Sequence, residues 1–213
     1  MNALRVLDAA LHQAAAERPA RLDLIAAGGR TVGRVDAAQW SAGLRPGDRS
    51  LLSRCQGSTL DVGCGPGRLA AALTRDGRAA LGVDISREAV RLTRQRGARA
   101  WHGSVFANLP MEGGWSCVLL ADGNIGIGGD PHRLLRRCAR LLRPGGSVLA
   151  ELAPPGSPTW AGPVRLRLDD QLSHPFPWAA VAAPDVAGVA DRAGLGVRTL
   201  WTEAGRWFAH LRG

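Results

Sequence analysis

The chain has 213 residues, 46% of them hydrophobic, which is enough to bury the core of one large α/β domain. Its formal net charge is +9 and all 27 basic residues are arginine, yet these arginines are scattered along the chain and form no basic block. This pattern does not favour a nucleic-acid partner. No stretch approaches the roughly 20 consecutive apolar residues of a membrane span, so we expect no membrane partner and a cytoplasmic location.

Four cysteines occur without the CxxC pairs or the spacing that metal ligands require. They are Cys55, Cys64, Cys117 and Cys138. Because no signal peptide is recognisable either, we expect these cysteines to be reduced thiols in the core. The sequence therefore predicts no metal site.

The N-terminal region, residues 1–47, is predicted to form a helical lid. Leucines at helical spacing predict a helix over residues 3–17. Glycines interrupt the part that follows, where the sequence suggests only a short helix that ends near Trp40. Asp48 is expected to cap a further helix over residues 48–55.

Strands and helices then alternate regularly up to residue 152, which makes residues 48–152 the predicted core of the domain. The predicted strands cover residues 59–64, 79–84, 99–102, 116–122 and 147–152. The predicted helices cover residues 67–75, 86–96 and 131–142, and Ser86 and Asp130 are the expected caps of the last two. Alternation of this kind implies parallel strands joined by right-handed crossovers, so we predict a doubly wound sheet in an α/β domain.

The segment after the core, residues 153–183, contains six prolines and two tryptophans. Such a composition favours an irregular insert, and long inserts in compact domains commonly carry function. Residues 184–213 are predicted to form a helix followed by an antiparallel hairpin around Ala204 and Gly205. We therefore expect one domain with a variable, substrate-binding insert.

The stretch TLDVGCGPG places Gly63, Gly65 and Gly67 between a predicted strand and a predicted helix. A dinucleotide fingerprint would need its third glycine at position 68, where the chain has Arg68, and a phosphate-binding P-loop would end in Gly-Lys-Ser/Thr. Asp61, just before the glycines, would repel a pyrophosphate but would suit a cationic ligand. The loop thus favours a ligand without phosphate.

Asp84 ends the next predicted strand, where a carboxylate can accept hydrogen bonds from both hydroxyls of a ribose. Together with Asp61, it indicates a nucleoside with a positively charged tail, namely S-adenosylmethionine. The segments LDVGCGPGRLA, LGVDIS and LLRPGGSVLAEL resemble, in this order, the class I S-adenosylmethionine-dependent methyltransferases, in particular bacterial small-molecule enzymes. The resemblance covers roughly residues 48–152.

This resemblance implies a Rossmann-like, mostly parallel seven-stranded sheet of order 3-2-1-4-5-7-6, with an antiparallel last strand and helices on both faces. It also implies a cofactor site in which Asp84 holds the ribose and Ile85 lies against the adenine. Many family members have an aspartate where this chain has Ser104. The expected cofactor-binding residues are Asp61, Gly63, Cys64, Gly65, Gly67, Asp84, Ile85, Ser104, Val105, Ala121 and Asp122.

Methyl transfer from a sulfonium is an in-line displacement in which the enzyme mainly aligns the reactants and excludes water. A hydroxyl acceptor gains from a general base, whereas a thiol needs less help. The candidate bases are Asp122, His132 and His174, while Asp130 is interpreted as a helix cap and His102 as structural. The expected substrate-binding residues are Trp40, Asn124, Trp160, Phe176 and Trp178.

From these observations we expect methyl transfer to oxygen, sulfur or nitrogen of a small, apolar or aromatic acceptor, such as a secondary metabolite or a thiol. The active form is expected to be a monomer or a homodimer. Two other interpretations stay open. One is an RNA or protein methyltransferase that uses the basic surface, and the other is a non-catalytic module that binds S-adenosylmethionine.

Overall fold

The computed structural model describes residues 1–213 and contains seven α-helices and twelve strands. The helices are α1 Ala3–Ala15, α2 Ala37–Ser41, α3 Asp48–Ser53, α4 Arg68–Arg75, α5 Arg87–Gln95, α6 Pro131–Leu141 and α7 Val186–Asp191. The strands are β1 Arg21–Ala26, β2 Thr31–Asp36, β3 Thr59–Val62, β4 Ala80–Asp84, β5 Arg99–His102, β6 Trp115–Leu120, β7 Leu142–Leu152, β8 Trp160–Leu168, β9 Gln171–Leu172, β10 Phe176–Ala180, β11 Gly196–Glu203 and β12 Arg206–Arg212. Short 3₁₀ helices at Asn124–Gly129 and Ala183–Asp185 precede α6 and α7.

Seven strands form the main sheet in the order β11-β12-β7-β6-β3-β4-β5. All neighbours from β7 to β5 pair in parallel, whereas β12 runs antiparallel to both β7 and β11. The central strand β3 is buried along its whole length, as expected for a strand covered by helices on both faces. The predicted strand order and the predicted C-terminal hairpin are confirmed.

Helix starts in the core follow the predicted capping residues. The Ser86 hydroxyl accepts a hydrogen bond from the Ala89 N–H at 2.9 Å, and the Asp130 carboxylate accepts one from the Arg133 N–H at 3.0 Å. Asp48 is different, because the cap of α3 is Gly47 and Asp48 is the first residue of that helix. The expectation that Asp48 caps a helix was therefore wrong, and its completely buried carboxylate is used in ion pairs described below.

A second, antiparallel sheet has the order β10-β8-β1-β2, with β9 paired to β8. It joins the N-terminal segment to the segment after β7, and α1 packs on it through a shared apolar cluster. The expectations of a purely helical lid and of an irregular insert were therefore wrong. The missed signal is the pair Gly28 and Gly29 between two short runs with strand-like alternation, which is a typical hairpin pattern.

The prolines of the insert fit this sheet because of where they fall. Pro163 of β8 is paired with Pro177 of the edge strand β10, and β8 pairs with β1 only from Val164 onward. Neither proline therefore has to donate a hydrogen bond to a central ladder. The division of the chain at residues 47, 152 and 183 stays a prediction.

All four cysteines are free and buried, as the composition predicts. No helix in the structure combines the length and the apolar character needed to cross a bilayer.

Leu168 tests the packing of the second sheet, because it is fully buried opposite Leu22, which is also fully buried. Leu168→Ala should lower the free energy of unfolding by about 2–5 kcal/mol, since the cavity would lie between α1 and the sheet. Leu172 lies in the same sheet but is 44% exposed, and Leu172→Ala should change that free energy by less than about 0.5 kcal/mol. Urea unfolding would measure both, and equal effects would contradict this packing.

Candidate active site

A cavity of about 670 Å³ lies between the carboxyl ends of the central strands and a roof made of α1 and the second sheet. This is the rim where open parallel sheets bind their ligands. The glycine loop after β3 and the ends of β4 and β6 line its floor, while apolar and aromatic side chains line the roof. The volume is in the ordinary range for a small-molecule site.

The glycine loop adopts backbone conformations that are unfavourable for residues with a side chain. Gly63, Gly65 and Gly67 all have positive φ, at +69°, +52° and +81°. A Cβ at position 67 would lie 2.6 Å from the Thr93 hydroxyl oxygen, whereas a Cβ at position 65 would meet no atom within 4 Å. Gly65 lines the cavity and Gly67 does not, so the expectation that Gly67 touches the cofactor is corrected to a packing role at the start of α4.

Asp84 is held in place by the loop that it faces. Its Oδ2 accepts a hydrogen bond from the Gly65 N–H at 2.9 Å, and its Oδ1 accepts one from the Ser86 N–H at 2.8 Å. Burial raises the pKa of Asp84, and these two N–H groups oppose that rise. Each oxygen keeps a further lone pair, so the carboxylate can still accept from a diol in the cavity.

Asp61 is only 3% exposed and also lines the cavity. Burial, and after it the negative charge of Asp122, raises the pKa of Asp61 to about 7. A cationic group bound next to this carboxylate would favour its ionised form. The donor set therefore fits a ligand with ribose hydroxyls at one end and a cation at the other.

Asp122 follows β6 with a positive φ of 52°, which a non-glycine residue adopts only when its surroundings hold it there. Its N–H donates to Glu151 Oε2 at 2.7 Å. Its Oδ1 accepts from Arg45 at 3.1 Å and from Arg206 at 3.5 Å, and its Oδ2 accepts from Arg68. Guanidinium groups bond to both oxygens, which gives Asp122 an ion-pairing role, and its expected role as a general base stays a prediction.

Asp48 and Glu151 complete this cluster of charges. Asp48 accepts from Arg68 and, at 2.7 Å, from Arg206, while both oxygens of Glu151 accept from Arg206 at 2.9 and 2.7 Å. We call Arg45, Arg68, Arg206, Asp48, Asp122 and Glu151 the ionic cluster. Sequence reasoning missed its three arginines, since residues from β12, α4 and the loop before α3 meet only in the folded chain.

The two candidate histidine bases lie away from the cavity. His132 sits between α6 and α7, with its Nδ1 3.1 Å from the Val189 carbonyl oxygen. His174 is exposed, and its backbone N–H donates to the Met1 carbonyl at 2.6 Å. Neither lines the cavity, so the expectation that they take a proton from the acceptor is corrected.

The other predicted site residues do come together. Ten of the eleven expected cofactor-binding residues line the cavity, namely all except Gly67, and so do Trp40, Asn124, Trp160, Phe176 and Trp178. Phe176 and Trp178 pack edge to face with their ring centres 6.2 Å apart. The Asn124 amide donates to the carbonyls of Val62 and Gly63 at 2.9 Å each, so it also braces the glycine loop.

Sequence reasoning missed much of the roof. Apolar side chains of α1, β1 and β2 face the cavity, and these are Leu4, Leu7, Leu11, Leu22, Leu24, Val32 and Val35. The alternation of apolar residues along β1 and β2 is the signal that could have found the strands. Nothing in the sequence signals which face of the hairpin covers the site.

Comparison with known proteins identifies the fold and its cofactor. A family model described as a methyltransferase domain matches residues 59–146, the region that holds both carboxylates and the glycine loop. These residues are therefore similar to a methyltransferase domain, and the strand order of the main sheet is that of class I S-adenosylmethionine-dependent methyltransferases. The positions of Asp84 and Asp61 described above fit S-adenosylmethionine, the cofactor of such enzymes.

Two curated relatives of this chain match over part of their length. An uncharacterized 37.1 kDa protein in transposon TN4556 of Streptomyces fradiae is 34% identical over 152 residues, which are 67% of this chain and 39% of that protein. The ubiquinone biosynthesis O-methyltransferase of Bordetella avium is 28% identical over 107 residues, which are 47% of this chain and 44% of that enzyme. The chain thus spans about four tenths of each relative.

Solved structures share the fold at low identity. A SAM-dependent methyltransferase from Bacteroides fragilis, solved with S-adenosyl-L-homocysteine, has a TM-score of 0.79 at 22% identity, over 99% of this chain and 96% of that chain. The 1,6-didemethyltoxoflavin-N1-methyltransferase of Burkholderia thailandensis has a TM-score of 0.56 at 18% identity, over 78% and 77%. The first of these likenesses includes the second sheet and the C-terminal hairpin, because it spans almost the whole chain.

Gly67→Ala tests the packing of the glycine loop. The matched control is Gly97→Ala, because Gly97 has the same φ of +81° but no atom within 4 Å of a new Cβ. The control should lose about 1–2 kcal/mol of stability from backbone strain alone. Gly67→Ala should lose about 1–3 kcal/mol more, since its Cβ would overlap Thr93. Equal losses in urea unfolding would contradict the packing role.

The raised pKa of Asp61 predicts how cofactor binding depends on pH. We expect the cofactor's ammonium to bind beside ionised Asp61, so below about pH 7 the buried carboxyl must first lose its proton, and affinity for S-adenosylhomocysteine should rise up to about tenfold per unit between pH 5.5 and 7. Without ligand, the stability of the fold depends on pH with the opposite sign. The folded state then binds a proton that the unfolded carboxyl has lost, and Asp61 lowers stability as pH rises from about 4 to 7.

Calorimetric titration with S-adenosylhomocysteine at several pH values would measure this slope. Asp61→Asn should remove it, while Asp23→Asn, a change of a carboxylate outside the cavity, should keep it. A slope that survives in Asp61→Asn would assign the pH dependence to another group.

Proposed function

We propose that this chain transfers the methyl group of S-adenosylmethionine to an oxygen, sulfur or nitrogen atom of a small, apolar or aromatic molecule. One observation carries the proposal: a single cavity runs from two buried carboxylates and a bare glycine loop to a roof of leucine, valine and tryptophan side chains. The charged floor suits the cofactor. The apolar roof suits the acceptor.

On the floor, Asp84 would accept hydrogen bonds from the ribose hydroxyls, since its oxygens are oriented by Gly65 and Ser86. Ile85, which is 51% exposed towards the cavity rim, would lie against the adenine. Ser104 and Val105 line the cavity on the same side of the sheet. Asp61 would lie near the ammonium group of the methionine part of the cofactor.

On the roof, Trp40 from α2 and Trp160 and Trp178 from the second sheet would surround the acceptor. Aromatic side chains provide large apolar contact area with a defined geometry, which favours a flat or cyclic acceptor. Two of the comparisons agree with this size class, because the Bordetella avium relative is named for ubiquinone biosynthesis and the Burkholderia thailandensis enzyme for a toxoflavin precursor. A role in bacterial secondary metabolism follows as part of the proposal.

The cofactor supplies a methyl group on a positively charged sulfur. The residues of this chain would align the acceptor atom with that group and exclude water, which are the main contributions an enzyme makes to an in-line displacement. The roof serves both tasks, because α1 and the second sheet cover the reacting end of the cavity. Such a cover also favours a small acceptor over a polymer, so we propose no nucleic-acid partner. We further propose a cytoplasmic location and an active form that is a monomer or a homodimer.

The experiment is a methyl-transfer assay with S-adenosylmethionine against thiols, phenols, amines and transfer RNA, read by product mass. Product with small apolar acceptors and none with transfer RNA is the expected result. Transfer to RNA or protein alone would favour the polymer alternative. Tight cofactor binding without product from any acceptor would favour a non-catalytic binding module.

Asp84→Asn tests the assigned cofactor contact. Loss of the charge should weaken S-adenosylhomocysteine binding by about tenfold to a hundredfold, because each hydrogen bond to a charged group contributes about 1.5–3 kcal/mol. Asp76→Asn, an exposed change at the end of α4, should leave affinity unchanged. Calorimetry with melting temperatures as a folding check would measure both variants. Unchanged affinity in Asp84→Asn would remove the ribose contact from the model of the site.

A further inference from the structure

The cavity contains few groups that could take a proton from an acceptor. Its ionisable lining side chains are Arg34, Asp61, Cys64, Arg68, Asp84 and Asp122. No histidine, glutamate, lysine or tyrosine lines it. Under the proposed function, on which this inference rests, the cofactor takes Asp61 and Asp84.

The remaining acidic groups are occupied. Both oxygens of Asp122 accept hydrogen bonds from the arginines of the ionic cluster. The Cys64 sulfur lies 3.6 Å from the Thr93 hydroxyl, and burial raises the pKa of Cys64 well above its usual range, so it stays a neutral thiol. Both groups are therefore bonded to neighbouring side chains and are not left unpartnered in the cavity.

A smaller cavity of about 400 Å³ adjoins the first and shares Trp40 and Asp122 with it. Two more carboxylates line it, Asp36 and Glu151. Asp36 Oδ1 accepts the Ala38 N–H at 3.0 Å and caps α2, while both oxygens of Glu151 are bonded to Arg206. Neither Asp36 nor Glu151 lines the larger cavity, so the neighbouring space adds no carboxylate to the lining of the cofactor site.

We propose that the acceptor is an apolar weak acid that loses its proton to solvent by itself, such as a thiol or an acidic aromatic hydroxyl, and that it reacts as an anion. The new bond joins the acceptor atom to the methyl carbon. The bond that breaks joins this carbon to the sulfonium sulfur, which keeps the electron pair. An anion and a cation thereby become two neutral products, and no proton has to move during the step.

The lining of the cavity favours this class over amines. Its roof is apolar, with Trp178, Phe176 and Leu166 among the lining side chains. Such surroundings favour a reaction that removes charge, because an isolated charge is costly in an apolar environment. Methylation of a neutral amine would instead move the positive charge from the sulfonium sulfur to the acceptor nitrogen, where the roof has no carboxylate to stabilise it.

The test compares acceptors of similar shape and different acidity, thiophenol, 4-nitrophenol, phenol and aniline, in methyl-transfer assays of the intact chain across pH. At pH 7 we expect kcat/KM for thiophenol and for 4-nitrophenol to exceed that for phenol by about a hundredfold or more, since no base on the enzyme supplies the 10²–10⁴-fold help that phenol would need. For each acceptor, kcat/KM should rise with pH and level off above the pKa of that acceptor.

His132→Gln and His174→Gln serve as variants outside the cavity and should keep kcat/KM within about twofold, the size of an incidental effect. A common pH inflection for all acceptors, measured with S-adenosylmethionine saturating at every pH so that the titration of Asp61 does not enter, would reveal a base on the enzyme and overturn the inference. Aniline as the best acceptor would overturn it as well, while leaving the proposed function intact. Binding of S-adenosylhomocysteine without any methylated product would overturn the proposed function itself.

Discussion

The pairing of buried charges in the ionic cluster is the constraint on which the rest of the site depends. Arg68 is 4% exposed and Asp48 is completely buried, so neither charge could exist there without the other. Three arginines face three carboxylates, and Arg206 of β12 bridges Asp48, Asp122 and Glu151. The cluster therefore ties the last strand of the sheet to the start of α4 and to the turn after β6.

The roof is attached to this floor by polar contacts at the edge of the cofactor site. The Asp8 carboxylate of α1 accepts the Ser86 hydroxyl at 2.6 Å, and the Ser86 N–H in turn donates to Asp84. Arg96 of α5 donates to the carbonyls of Ser41 and Ala42 at the end of α2. Helix α1 thus contacts the residue that orients Asp84, which couples this part of the roof to the proposed cofactor site, while α2 is held at the far end of α5.

The sequence predicts the main sheet well and places ten of the eleven expected cofactor-binding residues along one cavity, because both depend on short-range patterns. Residues 59–84 contain a strand, a glycine turn, a helix and a second strand that ends in Asp84, and each is specified by neighbours a few positions away. The roof depends on β1 pairing with β8, about 140 residues later. Similarly, nothing near Asp122 in the sequence indicates that its carboxylate is paired, because Arg45 and Arg206 come from distant segments of the chain.

The floor, which is built from residues close in sequence, and the roof, which is built by long-range strand pairing, also differ in chemistry. Every carboxylate of the cavity belongs to the floor, where main-chain N–H groups orient it, arginines neutralise it or burial shifts its pKa. The roof contributes only Arg34 as a charged group, and the Arg34 side chain points to Asp23 at 2.7 Å and is 67% exposed. Under the proposed function, charge recognition serves the cofactor, and the acceptor would be selected by shape, by apolar contact and by its own acidity. Since the carboxylates of the cavity then bind the cofactor or pair with the arginines of the ionic cluster, deprotonation would be left to the acceptor.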